Sequence, residues 1–164
     1  MPQFIENDPA VLADYVASLG TGLIVFDGRP GAGKSYLARA TAKRLGCTFV
    51  DGDHFLDGNK GMFVGALRID ALRRTIETAA TPPVLLATVC ARQVVDRIRL
   101  PTAGIIWIEQ ASAVRLDQIR RDYCDYDENA DAARRHPLYK EVEAYIAAHD
   151  ARRRPDVVYL NALD

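Results

Sequence analysis

No apolar run in this chain approaches the roughly 18 residues needed to cross a bilayer. The N-terminus, MPQFIENDPAVLADYV, carries acids where a secretory leader would carry basic residues. A cytoplasmic protein with no membrane segment is the expectation. Cysteine is scarce: Cys47, Cys90 and Cys124 lie far apart, without a Cys-x-x-Cys pair or a Cys/His cluster. That pattern speaks against a disulfide framework and against structural zinc. Charge of one sign is also missing. Lysine and arginine total 21 against 22 acids, for a formal net charge of -1, so no strongly basic surface argues for nucleic acid as a partner. Neither an internal repeat nor a low-complexity linker is visible, and residues 1–164 read as one domain. What the chain has is a globular composition, 49% hydrophobic and 26% charged, at a length able to bury a core unaided.

Apolar runs and helical spacings alternate. Asp8 before Pro9 reads as an N-cap with proline at the first helical position, opening a helix that ends near Gly20. The short runs at 23–26, 47–51, 84–89, 104–109 and 156–160 read as strands. Helices are expected at about 35–46, 66–79, 92–99, 112–123 and 137–150, with Pro82-Pro83 and Pro101 as breaks. The stretch 52–65, with four glycines, reads as a loop. Strands alternating with helices predict a doubly wound, three-layer α/β fold with a five-stranded parallel sheet.

One motif carries chemistry. Gly28-Arg29-Pro30-Gly31-Ala32-Gly33-Lys34-Ser35 follows the first expected strand and opens a helix, the setting that makes G-x-x-x-x-G-K-S credible as the phosphate loop of a P-loop NTPase fold. The glycines let backbone N–H groups converge on phosphate oxygens, and the helix adds its positive end. Lys34 can reach the β- and γ-phosphates, and the Ser35 hydroxyl can ligate magnesium. Gly28, Pro30, Gly31, Ala32, Gly33, Lys34, Ser35 and Tyr36 form the expected nucleotide-contacting set, for ATP with Mg2+. By residue usage such a string arises by chance in on the order of one in a few hundred chains of this length. The flanking strand and helix lower those odds further.

The second expected strand ends in Asp51-Gly52-Asp53-His54-Phe55. Strand ends at the carboxyl edge of a doubly wound sheet face the ligand crevice, so both acids should lie near the phosphates. There an acid can take the proton of an acceptor hydroxyl or hold magnesium. An Asp-Gly turn accounts for the same string without chemistry, but its place after a strand beside a phosphate loop favours function. Asp51 and Asp53 are candidate metal ligands with Ser35, and Lys34 and Asp53 are candidate catalytic residues, Asp53 as the group that positions or deprotonates the acceptor.

The phosphate loop together with an aspartate followed by x-Phe resembles the uridine kinase and phosphoribulokinase family. The Asp-Gly-Asp string is also similar to gluconate kinases and adenylylsulfate kinases. The resemblance implies that Asp53, with Asp51 beside it, lies next to the acceptor hydroxyl. RLDQIRRD, residues 115–122, is similar to that family's lid helix, within a lid-like segment at about 112–136. It implies phosphate contacts for Arg115 and a catalytic role for Arg121. HPLYKEVEAYIAAHDARRRPDVVY, residues 136–159, resembles the same family's helix, basic turn and Asp-Val-Val strand.

Other residues carry less. Arginine suits phosphate through its planar fork, yet a solvated charged helix also explains Arg115, Arg120 and Arg121. Arg134, Arg135 and the run 152–154 read as surface charge. P-loop proteins commonly carry an acid at the end of a neighbouring strand to hold the magnesium shell. Ala87 and Thr88 stand there, leaving that role to Asp51 or Asp53. His54 reads as a bystander, His136 and His149 as helix-end or surface residues, and Trp107 as core.

Three functions follow. The leading one is an ATP-dependent kinase that moves the γ-phosphoryl group to a hydroxyl of a small molecule. A nucleotide-binding regulatory or partner-switching module without phosphotransfer is the second. The third acts on a polynucleotide end, and the near-neutral charge argues against it.

Overall fold

The computed structural model describes residues 1–58, 62–131 and 136–163. Six strands form one all-parallel sheet: β1 (Gln3–Glu6), β2 (Leu23–Gly28), β3 (Thr48–Asp51), β4 (Val84–Ala87), β5 (Thr102–Ser112) and β6 (Val157–Leu163). Their spatial order is β1-β6-β5-β2-β4-β3. Among the described residues six α-helices accompany them: α1 (Pro9–Ser18), α2 (Lys34–Leu45), α3 (Ile69–Glu77), α4 (Ala91–Ile98), α5 (Leu116–Asp122) and α6 (Pro137–His149).

The α/β, doubly wound reading stands, but the sheet has six strands rather than five. The added one is β1, which pairs with β6 from Gln3↔Val157 to Glu6↔Leu160. Only Ile5 of its four side chains is buried, so it leaves no apolar run to read. Three strands also run longer than expected: β2 continues to Gly28, and Gln110–Ser112 of β5 continue the ladder against Asn161–Leu163 of β6. The polar helix expected from residue 112 therefore begins later, as a 3-10 turn at Ala113–Arg115 followed by α5. The stretch 52–65 holds 3-10 turns at Gly52–Phe55 and Val64–Ala66, the second reaching residue 66, with a bridge from Leu56 to Leu67.

Strand alternation sorts the core into two clusters, one per face. Val25, Leu86, Trp107 and Val158 pack with Leu72, Val94, Val142 and Tyr145 from α3, α4 and α6. Ile24, Phe26, Leu85 and Ile106 pack with Leu12, Val16, Leu37 and Ala38 from α1 and α2. Every residue of β2 is buried, as expected of a strand covered on both sides. Trp107 is core, 1% exposed.

Connectivity places the site. From β2 the chain runs through α2 to the edge strand β3, returns to β4, then crosses to β5 on the other side of β2. The reversal lies at the carboxyl end of β2, where doubly wound sheets leave a crevice. Gly28 turns the chain out of β2 at φ +151°, and a Cβ there would lie 2.7 Å from the Ile108 carbonyl oxygen of β5. Glycine is required on both counts. We expect Gly28→Ala to cost about 3 kcal/mol through strain and overpacking. Urea unfolding measures this, and a variant within 1 kcal/mol of the parent would remove the constraint.

Candidate active site

The phosphate loop closes on α2. Gly33 is the helix N-cap at φ +92° and offers no side-chain cap, so the first-turn N–H groups of α2 are left for another acceptor. Behind it stands Asn161 of β6, whose Nδ2 donates to the Ala32 carbonyl at 2.9 Å. A Cβ on Gly33 would meet that same nitrogen at 2.6 Å. The Tyr139 hydroxyl of α6 donates to the Pro30 carbonyl at 3.3 Å.

Lys34 is 8% exposed and donates from Nζ to the Arg29 carbonyl at 2.6 Å. Burial brings its ammonium down to about 8, against the pull of Asp27, Asp53 and Asp51. In front of it opens a cleft of about 320 Å³. Pro30, Gly31, Gly33, Lys34, Ser35 and Tyr36 of the loop and helix start line it, together with Asp51, Asp53, Phe63, Ala87, Thr88, Val89 and Leu138. Asp51 accepts the Asp53 N–H at 3.0 Å, which fixes the turn between them. Burial, and then the Asp51 charge, raise Asp53 above the ordinary carboxylate range.

Most of the expected constellation thus converges: Lys34, Ser35, Asp51 and Asp53 share one cleft. Gly28 and Ala32 are buried behind it, while Tyr36 lies at its exposed rim. Arg115 and Arg121 lie elsewhere, exposed on the segment leading into and along α5 and not among the cleft residues. Arg115 instead donates to the Tyr126 hydroxyl at 2.5 Å, and Arg120 pairs with Glu6 at 3.1 Å. Ala87 and Thr88 form part of the wall without a carboxylate, the Thr88 hydroxyl donating to the Val89 carbonyl at 2.9 Å. His54 is exposed and offers its carbonyl to Arg68, and His136 caps α6 through Nδ1.

The donors suit magnesium. They are hard oxygens, and no group of three or more acids, cysteines or histidines surrounds them among the described residues. A cation that keeps several waters and leans on phosphate oxygens needs no fuller protein cage.

Beneath the loop is machinery that its motif does not announce. Arg29 is 6% exposed. Its guanidinium meets Glu143 of α6 at 2.5 Å, Asp127 at 2.7 Å and Glu109 of β5 at 3.5 Å. Burial alone would lower its affinity for a proton; the Glu143, Asp127 and Glu109 carboxylates outweigh that and raise it. Arg152 joins the same group, at 3.0 Å from Glu109 and 3.6 Å from Asp127. Its reading as surface charge is corrected: it is 7% exposed, because the turn after α6 carries it inward against the Tyr123 ring. Arg134 and Arg135 lie outside the described residues. Glu109 also accepts from the Trp107 indole at 2.7 Å and the Tyr123 hydroxyl at 3.3 Å.

Asp27 is a second omission. It is the penultimate residue of β2, is 1% exposed, and accepts the Tyr145 hydroxyl at 2.6 Å and the Gly28 N–H at 2.8 Å. A lone acid ending the fully apolar run LIVF was the available signal.

Comparisons with known proteins find kinases. The family model for shikimate kinase matches residues 30–67, from inside the phosphate loop through both cleft aspartates. A curated shikimate kinase from Rhodopseudomonas palustris (strain ATCC BAA-98 / CGA009) is 28% identical, over 92% of this chain and 88% of that protein. Among solved structures, a "possible uridine kinase" from Bacillus stearothermophilus superposes with a TM-score of 0.57 at 14% identity. That match covers 92% of this chain and 96% of the other, and it bears on the fold.

Asp27 generates a prediction. Burial pushes it up to about 6 from 3.8, the Tyr145, Gly28 and Lys34 contacts opposing. A folded-state value above the unfolded one means stability present below about pH 4 and lost as pH rises through about 6. Asn keeps the shape and does not titrate. Relative to wild type, Asp27→Asn should gain about 2–3 kcal/mol between pH 4 and pH 7, read from denaturant unfolding at both. A difference that stays flat with pH would contradict the assignment.

Proposed function

We propose that this protein is an ATP-dependent kinase that transfers the γ-phosphoryl group to a hydroxyl of a small molecule. The observation that carries the reading is the meeting of Lys34 and Ser35 with Asp51 and Asp53 across one cleft. Relatives bearing the names shikimate kinase and possible uridine kinase support a small acceptor.

In this reading the α2 N-terminus and Lys34 hold the β- and γ-phosphates. Ser35, with Asp51 or Asp53, would hold magnesium, and the ion would supply positive charge to offset that of the phosphates. Asp53 takes the proton as the acceptor oxygen bonds to the γ-phosphorus, the bond to the bridging oxygen breaks, and ADP leaves. Its raised proton affinity suits that task. Positioning and electrostatics supply the remaining catalysis. Arg121 belongs to the reading only if α5 swings toward the phosphates, since it stands outside the cleft.

A second reading, a nucleotide-binding partner-switching module, draws on Ala87 and Thr88, where the strand end offers no acid. A partner that co-purifies only with ATP, and is lost in Lys34→Ala, would favour it.

The deciding assay follows ADP release across shikimate, gluconate, uridine and a wider set of sugars and hydroxy acids. At least one acceptor should exceed acceptor-free hydrolysis about tenfold. Asp53→Asn should lower kcat by roughly 100-fold or more, and Lys34→Ala should abolish triphosphate binding. Tight ATP binding with no turnover on the panel, and Asp53→Asn indistinguishable from wild type, would sink the kinase reading. Arg121→Ala should lower kcat about tenfold with ATP affinity little changed; an unchanged kcat removes Arg121 from the site.

A further inference from the structure

Helix α6 stands between two loops. Its Tyr139 and Glu143, one turn apart, face the phosphate loop through the Pro30 carbonyl and the Arg29 guanidinium. Glu141 between them reaches the other way. Its Oε2 accepts the Phe63 N–H at 2.6 Å and its Oε1 accepts the Val64 N–H at 3.0 Å. These amides open the 3-10 turn Val64–Ala66, which has no side-chain cap of its own. Phe63 is 2% exposed and lines the same cleft as Asp53, and Leu138, one turn before Glu141, lines it too.

We infer that Glu141 is a positioning residue for the phosphoryl acceptor, setting the Phe63 wall of the cleft through the paired Phe63 and Val64 amides. The inference rests on the kinase reading. Glu141 is not itself among the cleft residues, so it acts through Phe63. Hydrogen bonds to a carboxylate are about twice as strong as neutral ones. Without it, two amides of a partly buried turn lose their acceptor. The wall would then be free to shift, while Tyr139 and Glu143 still hold the phosphate loop. Glu141 should therefore govern the acceptor and leave the nucleotide alone.

The test compares wild type, Glu141→Ala and Glu141→Gln, using whichever of shikimate, gluconate or uridine is phosphorylated in the assay above. Glu141→Ala should raise the acceptor KM about tenfold, with kcat within about threefold and the MgATP dissociation constant within about twofold. Glu141→Gln keeps one acceptor oxygen and should recover part of the loss. Amide hydrogen exchange at Phe63 and Val64 should quicken about tenfold in Glu141→Ala, with the phosphate loop unchanged. An MgATP constant that moves as far as the acceptor KM would show a general structural role and overturn the inference. So would unchanged exchange at both amides, or wild-type acceptor KM in Glu141→Ala, each leaving the kinase reading intact. No turnover of any acceptor by wild type overturns the kinase reading, and this role falls with it.

Discussion

The neutralisation of Arg29 is the constraint on which the rest of the site depends. A guanidinium 6% exposed in the phosphate loop would be untenable alone. It is held because β5, the segment after α5, and α6 each contribute a carboxylate: Glu109, Asp127 and Glu143. Breaking a buried ion pair by removing one partner typically costs about 3–5 kcal/mol, since the other charge stays behind. The three elements are thereby committed to one arrangement around the loop. The carbonyl of the same residue accepts Lys34 Nζ, so the anchored residue also receives the Lys34 ammonium.

Asp27 lies one step deeper and ties the loop to the opposite layer. Its carboxylate joins the Tyr145 hydroxyl of α6 to the Gly28 N–H at the start of the loop. Helix α6 consequently touches Asp27 at the end of β2, Arg29 and Pro30 in the loop, and the backbone of Phe63 in the cleft lining through Glu141.

Legibility followed the range of the interactions. The phosphate loop, its flanking strand and helix, and the aspartates after β3 are local patterns, and Lys34, Ser35, Asp51 and Asp53 do meet. What escaped was set by contacts distant in sequence. β1 has a single buried side chain and exists through its pairing with β6. Arg152 resembles its neighbours Arg153 and Arg154 in sequence, and only the fold turns it toward Glu109. Glu141 and Glu143 look like exposed helix charges until residues 62–64 and Arg29 are placed beside them. Arg115 and Arg121 are implied only by resemblance to a lid, and the 3-10 turn and α5 that carry them leave both outside the cleft.

Asn161 has a consequence for how the site comes into being. It belongs to β6, the final strand of this chain, and its amide holds the Ala32 carbonyl 129 positions earlier. Contacts so far apart pay their loop-closure entropy before they return any stability, and they form late. The glycine-rich turn is drawn by its own residues, yet the side-chain amide that braces its backbone is in place only with β6 against β5. The bracing of the loop is therefore a property of the completed sheet. A chain interrupted before residue 161 would carry the whole phosphate-loop motif and lack the amide that braces it.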